Sequence, residues 1–136
     1  MDYEKLIAFR NSKNTFCRRL GIRVTEIGPG RAVVVKTMGP EDLNPLNLPH
    51  GGVYFSMADT ACGSAVVSHG HAAVTVDAGY HFLRSAKSGD TVTATAREVK
   101  AGKTLSVCDV ELRDQDGVLL GTGTFTFFIL EELLDL

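Results

Sequence analysis

Tryptophan is absent from this 136-residue chain, proline appears four times and cysteine three times. Cys17, Cys62 and Cys108 are odd in number and far apart, with no CxxC pair and no Cys/His cluster. That excludes a disulfide framework and reads as reduced thiols in a cytoplasmic protein. His50, His69, His71 and His81 lack a metal-ligand spacing, so neither a metal nor a cofactor is expected. No apolar run reaches the ~18 residues of a membrane span. The start, MDYEKLIAFRNSK, carries charges throughout instead of a signal core. A surplus of one charge is also missing, the net charge being −2. Without a basic surface, bulk binding to nucleic acid or an acidic membrane is not expected. The chain shows no repeat and no linker, and its length suits one domain over 1–136 with a core that needs no staples.

What is present is periodicity. Residues 3–20 read as one short amphipathic helix or two, with Leu6, Ile7, Phe9, Phe16 and Leu20 apolar. GPGR at 28–31 marks a turn between strand-like runs 21–27 and 31–38. Tyr54, Met57, Ala58, Ala61, Cys62 and Ala65 then recur at the helical period. After Gly70 the period becomes two. In AAVTVDAGYHFL, Val74, Val76, Ala78, Tyr80 and Phe82 are predicted on one face, and Thr75, Asp77 and His81 on the other. TVTATAREV, TLSVCDVEL and VLLGTGTFTFFIL follow, the last after the hairpin signal in RDQDG. Four strands in a row predict an antiparallel meander. With the first two strands they make one sheet of five to six strands bearing one long helix, an α+β fold. The helix is rich in small residues, which allows a curved sheet to wrap it closely. The terminal EELLDL reads as a short packing helix or a frayed tail.

The unusual feature is Asp59, a carboxylate inside an apolar helical run just after the turn His50-Gly51-Gly52. Lys36 and Arg84, the nearest basic residues, are remote in sequence. Plain readings exist for each neighbour. Asp59 fits a solvated helix face, His50 a helix-entry residue, and Gly51 and Gly52 a tight turn. Asn44 before Pro45 fits turn chemistry, and Thr75 an ordinary strand residue. Arg84, Lys87, Lys100 and Lys103 fit surface charges.

Taken together, LNPLNLPHGGVYFSMADTA and VTVDAGYHFLRSAKSGDTVTATAREVKAGKT resemble the hotdog-fold acyl-CoA thioesterases of the PaaI-like, phenylacetate-pathway type. The likeness runs from about Gly21 to Phe128. It implies the hotdog fold, in which a curved antiparallel sheet wraps one long helix. It implies an acyl-CoA substrate and a homodimer as the smallest active unit, often paired again into a homotetramer. Asp59 would be nucleophile or general base, and Gly51 would give its backbone N–H to the thioester oxygen. Asn44 and His50 would shape the carbonyl site, and Thr75 would help place the attacking water. Gly52, Arg84, Lys103 and Thr104 would meet the coenzyme A portion. One departure is that relatives often read Leu-Arg-Pro where this chain has LRSA, with Ser85.

The chemistry agrees with that expectation. Thioester hydrolysis places negative charge on the former carbonyl oxygen. A helix N-terminus offers unpaired N–H groups and partial positive charge to receive it. Glycine lets substrate approach the backbone. Asp59, however, lies eight residues past Gly51, roughly 12 Å along a helix, while attack needs contact near 3 Å. One chain therefore cannot supply both groups to one carbonyl; a two-fold pair of chains can. The competing expectations are a non-catalytic acyl-CoA-binding module and a hotdog hydratase or dehydratase.

Overall fold

The computed structural model describes all residues from Met1 to Leu136. The N-terminal segment is two helices, α1 (Tyr3–Lys13) and α2 (Thr15–Leu20). Asn14 is the reason for the break. Its backbone N–H closes α1 on the Arg10 carbonyl, and its side chain caps α2 by accepting the Cys17 N–H at 3.0 Å. Gly21 ends α2 at φ 70°, a left-handed conformation that favours glycine.

Six strands follow: β1 (Arg23–Gly28), β2 (Arg31–Thr37), β3 (His71–Phe82), β4 (Thr91–Ala101), β5 (Leu105–Arg113) and β6 (Leu119–Leu133). They form one antiparallel sheet in the order β1-β2-β4-β5-β6-β3. The long helix α3 (Gly51–Val66) lies between β2 and β3 in sequence and packs on one sheet face. Alternate residues of β2, β4 and β5 are buried beneath it, as the period of two requires. Met57, Ala58, Ala61, Cys62 and Ala65 are fully buried against them. This is the hotdog arrangement, an open sheet of six strands against one long helix.

Three expectations are corrected. First, the last four strands are not a simple meander, because β3 pairs with β6 at the sheet edge while β4 pairs with β2. Second, β6 continues to Leu133, so the start of EELLDL is strand and neither packing helix nor tail. Third, β3 does not alternate uniformly. Thr75 pairs with Phe127 and Asp77 with Thr126, which leaves Val76 unmatched as a bulge. One extra residue reverses the parity of everything on one side of it. Ala73 and Thr75 therefore share the helix-facing side with Ala78, Tyr80 and Phe82, while Val74 and Val76 are exposed. The predicted grouping of Val74 and Val76 with Ala78, and of Thr75 with Asp77, fails at this bulge.

The loop entering α3 is anchored by a buried ion pair, Lys36 Nζ to Asp42 Oδ2 at 3.0 Å. Lys36 Nζ also donates to the Leu20 carbonyl. Asp42 accepts the Gly39 N–H at 2.7 Å, and its own carbonyl accepts the His50 N–H at 2.8 Å. This cluster joins β2, the end of α2 and the residue that caps α3.

Candidate active site

The helix start is built by His50. It sits in extended conformation as the N-cap, and its Nδ1 accepts the Gly52 N–H at 2.8 Å. A backbone N–H only donates, so in the neutral ring Nδ1 is bare and Nε2 carries the proton. The Val53 N–H bonds the His50 carbonyl at 3.0 Å. Gly52 and Val53 are thus satisfied, and the Gly51 N–H is left without an acceptor in the chain. That is the unpaired first-turn donor an oxyanion site requires. Phe82 flanks it: a Cβ on Gly51 would lie 3.2 Å from the Phe82 ring.

Asp59, two turns along, is partly exposed on the flank of α3 next to β3. Thr75 Oγ1 donates to Asp59 Oδ1 at 2.6 Å, a short charge-assisted bond. Oδ2 of Asp59 has no partner within the chain. The bulge at Val76 is what turns Thr75 toward the carboxylate. The remainder of the Asp59 side of α3 is covered, since Thr60 and Gly63 are buried and Thr60 contacts Cys17 of α2 at 3.1 Å.

The other candidates divide. Asn44 Oδ1 accepts the Leu46 and Leu48 N–H groups at 2.9 and 3.2 Å, which shapes the loop before His50. Lys103 and Thr104 line a 770 Å³ cavity with His71, Glu98 and Phe128 between the β4–β5 hairpin and the end of β6. Arg84 is exposed after β3 and does not line that cavity. A single chain therefore pairs Asp59 with Thr75, and His50 with Gly51 and Gly52. It does not join these two groups, nor Arg84 to Lys103.

Sequence reasoning missed Arg10. Its Nε is enclosed without a partner, and its Nη2 lies 3.4 Å from where a Gly63 Cβ would stand. Burial pulls the guanidinium below its usual range, while Cys17 and Asp59 pull it back up. No sequence signal marked it, because an arginine on a short helix gives no sign of which distant residue it will lie against.

The comparisons with known proteins bear on this geometry. The family model described as the thioesterase superfamily matches residues 47–120, from the loop before His50 to the start of β6. Acyl-coenzyme A thioesterase PaaI of Escherichia coli is 41% identical over 104 residues, covering 76% of this chain and 74% of that protein. The chain belongs to the thioesterase superfamily. Within it, this thioesterase is PaaI-like. The solved structure of the E. coli PaaI protein from the phenylacetic acid degradation operon superposes with a TM-score of 0.93 at 31% identity, covering 97% of this chain and 96% of that one. Human acyl-coenzyme A thioesterase 13 is 29% identical over 127 residues, or 90% of each chain. A hypothetical thioesterase from Streptococcus pneumoniae, solved with coenzyme A, superposes with a TM-score of 0.79 at 28% identity, over 83% of this chain and 88% of that one.

Proposed function

We propose that this thioesterase hydrolyses an acyl- or aryl-coenzyme A to the free acid and coenzyme A, with each active site shared between two copies of the chain. The observation that carries this is the pair of incomplete half-sites: an unpaired Gly51 N–H at one end of β3, and Asp59 held by Thr75 near the other. In the sheet order β3 is an edge strand, and an unpaired edge is a template for another strand. Antiparallel pairing of two β3 strands, with Thr75 across from Phe82 of its mate, carries the mate's Gly51 toward Asp59. The same register brings Arg84 of the mate level with Ala73, beside the cavity that holds Lys103 and Thr104. This supports the reading of these basic residues as the coenzyme A side of the site.

The chemistry follows from the atoms. The Gly51 N–H of one protomer donates to the thioester oxygen, and the proton on His50 Nε2 offers a second donor. One such donor is worth about 3 kcal/mol in the transition state. Asp59 Oδ2 and the lone pairs of Thr75 Oγ1 form two adjacent acceptors, matching the two protons of one water. Asp59 removes a proton from that water as its oxygen attacks the carbonyl carbon. The tetrahedral intermediate collapses, the C–S bond breaks, and the thiolate takes up a proton. The paired acceptors favour this route over direct attack by the carboxylate.

The test is Asp59→Asn, assayed by thiol release from a panel of aryl, arylacetyl and aliphatic coenzyme A thioesters. The expected result is a fall in kcat of at least about 10² with acyl-CoA binding retained. Turnover at the unmodified rate would remove Asp59 from the mechanism. Single turnover in ¹⁸O-water is expected to label only the product acid; label in the Asp59 peptide would instead mark direct attack.

A further inference from the structure

The buried row of β4 runs Val92, Ala94, Ala96 and then meets a carboxylate, since alternation puts Glu98 next on that face. The Glu98 side chain is only 6% exposed. A carboxylate withdrawn from water needs partners for its oxygens. Ser106 Oγ donates to Oε2 at 2.5 Å, and His69 Nε2 lies 2.5 Å from Oε1. The Glu98 N–H donates to the Gly30 carbonyl at 2.8 Å, which ties the group to the turn between β1 and β2. That turn is fitted to it: Gly30 is at φ 66°, and a Cβ there would stand 2.9 Å from Oε1.

His69 is held from the other side. It ends the short helical turn Val67–His69 that follows α3, and its neighbour Ser68 accepts the Gly30 N–H on Oγ at 2.8 Å. No lysine or arginine comes within ion-pair distance of Glu98, so His69 is the one contacting group that can carry positive charge. Facing a carboxylate, Nε2 carries a proton and donates. The other ring nitrogen, Nδ1, has no partner in the chain. The imidazole is 48% exposed and lines the 770 Å³ cavity that Lys103 and Thr104 also line.

The remaining titratable groups along that cavity are His71 and Glu131. His71 has its Nδ1 on the Leu130 carbonyl at 3.1 Å, and Glu131 is exposed to solvent. Both oxygens of Glu98 are engaged inside its own cluster. What the lining offers a ligand is therefore the Lys103 ammonium and, in the protonated ring, an N–H on His69 Nδ1. A point charge beside a directed donor suits a phosphate.

We propose that the protonated His69 ring donates from Nδ1 to a phosphate of the coenzyme A nucleotide, with Glu98 as the positioning residue that holds the ring. The inference rests on the reading of this cavity as the coenzyme A side of the site. A ring bound to a carboxylate through one nitrogen has the direction of its other nitrogen fixed. Lys103 brings charge on a flexible stem, and His69 brings a donor of set direction.

The experiment is calorimetric titration of the unmodified protein, His69→Gln and Glu98→Gln with coenzyme A, 3′-dephospho-coenzyme A and pantetheine. His69→Gln is expected to raise the Kd for coenzyme A about tenfold and to leave that for pantetheine unchanged. If the loss disappears with 3′-dephospho-coenzyme A, the partner is the 3′-phosphate; if it persists there, the partner is the diphosphate. An unchanged Kd for coenzyme A, or an equal loss with pantetheine, overturns the inference, the second by showing a merely structural role. Glu98→Gln is the sharper arm. Deleting a negative charge by itself tightens binding of an anion, whereas loss of the group that holds His69 weakens it. We expect weaker coenzyme A binding and unaltered pantetheine binding; tighter coenzyme A binding removes Glu98 from the role. Glu98→Asp, which keeps the charge but draws it back from the ring, is expected to act in the same direction and serves if Glu98→Gln does not fold. Lys103→Gln separates the two levels. Unchanged coenzyme A affinity there removes the reading of the cavity, whereas a loss in Lys103→Gln beside an unaffected His69→Gln removes only His69.

Discussion

The role proposed for Gly51 rests on which hydrogen bond is left unmade. Three N–H groups open α3, and His50 accounts for two of them, Gly52 through its ring and Val53 through its carbonyl. The remaining donor is removed most cleanly by Gly51→Pro. Proline is favoured at the first helical position and lacks this N–H, and the exposed Phe82 ring must yield slightly to its Cβ, which would stand 3.2 Å away. His50, at φ −63° and ψ 139°, already holds the conformation that proline requires of its predecessor. We expect kcat to fall about 10²–10³-fold while far-UV circular dichroism and Tm stay close to those of the unmodified protein. A matched collapse of Tm would show that the substitution had broken the helix start and not the oxyanion site. The motif His50-Gly51-Gly52 was legible in the sequence. The hydrogen bond that singles out Gly51 from Gly52 was not, since it depends on the rotamer of one imidazole.

Elements carry these groups into place, and two devices matter. The Val76 bulge turns Thr75 toward α3, and no pattern of two could have shown it, because a bulge leaves no fixed trace in composition. The Lys36–Asp42 pair holds the loop that delivers His50. In the sequence, Lys36 read only as remote from Asp59; the structure buries it against the loop. Both side chains are about 7% exposed or less, so removing one strands the other. We expect Asp42→Ala to cost about 3–5 kcal/mol in urea unfolding and to lower kcat by loosening the His50 turn. The double change Lys36→Met with Asp42→Leu should recover most of the stability. If Asp42→Ala unfolds at the same urea midpoint as the parent, the pair does not anchor the loop.

On the scale of the whole molecule the decisive feature is the open edge of β3. The proposed sharing of the site makes a prediction that no single-chain site shares. Asp59→Asn and Gly51→Pro homodimers each break both sites. Mixed one to one with random assortment, half of the dimers are hybrid, and each hybrid retains one intact site of two. Co-expression is therefore expected to restore about a quarter of the unmodified activity. Activity of the mixture no greater than the average of the two variants would place Asp59 and Gly51 in separate sites. The exposed row Val74, Phe128 and Leu105 lies across three strands on the outer face of the sheet.

The sequence alone determined the element order, because the helical run from Tyr54 to Ala65 and the alternating runs after Gly70 are local periodicities, readable from which residues must be buried. It also determined that Asp59 and Gly51 of one chain stand too far apart to meet at one carbonyl, because eight residues of helix have a fixed length whatever surrounds them. Tertiary structure decided what depends on contacts between distant segments. Arg10 of α1 reaches Gly63 of α3 across the fold, and Thr75 meets Asp59 only because β3 carries an extra residue beside β6. Local propensity is blind to both, since the energy that fixes them is shared between residues dozens of positions apart.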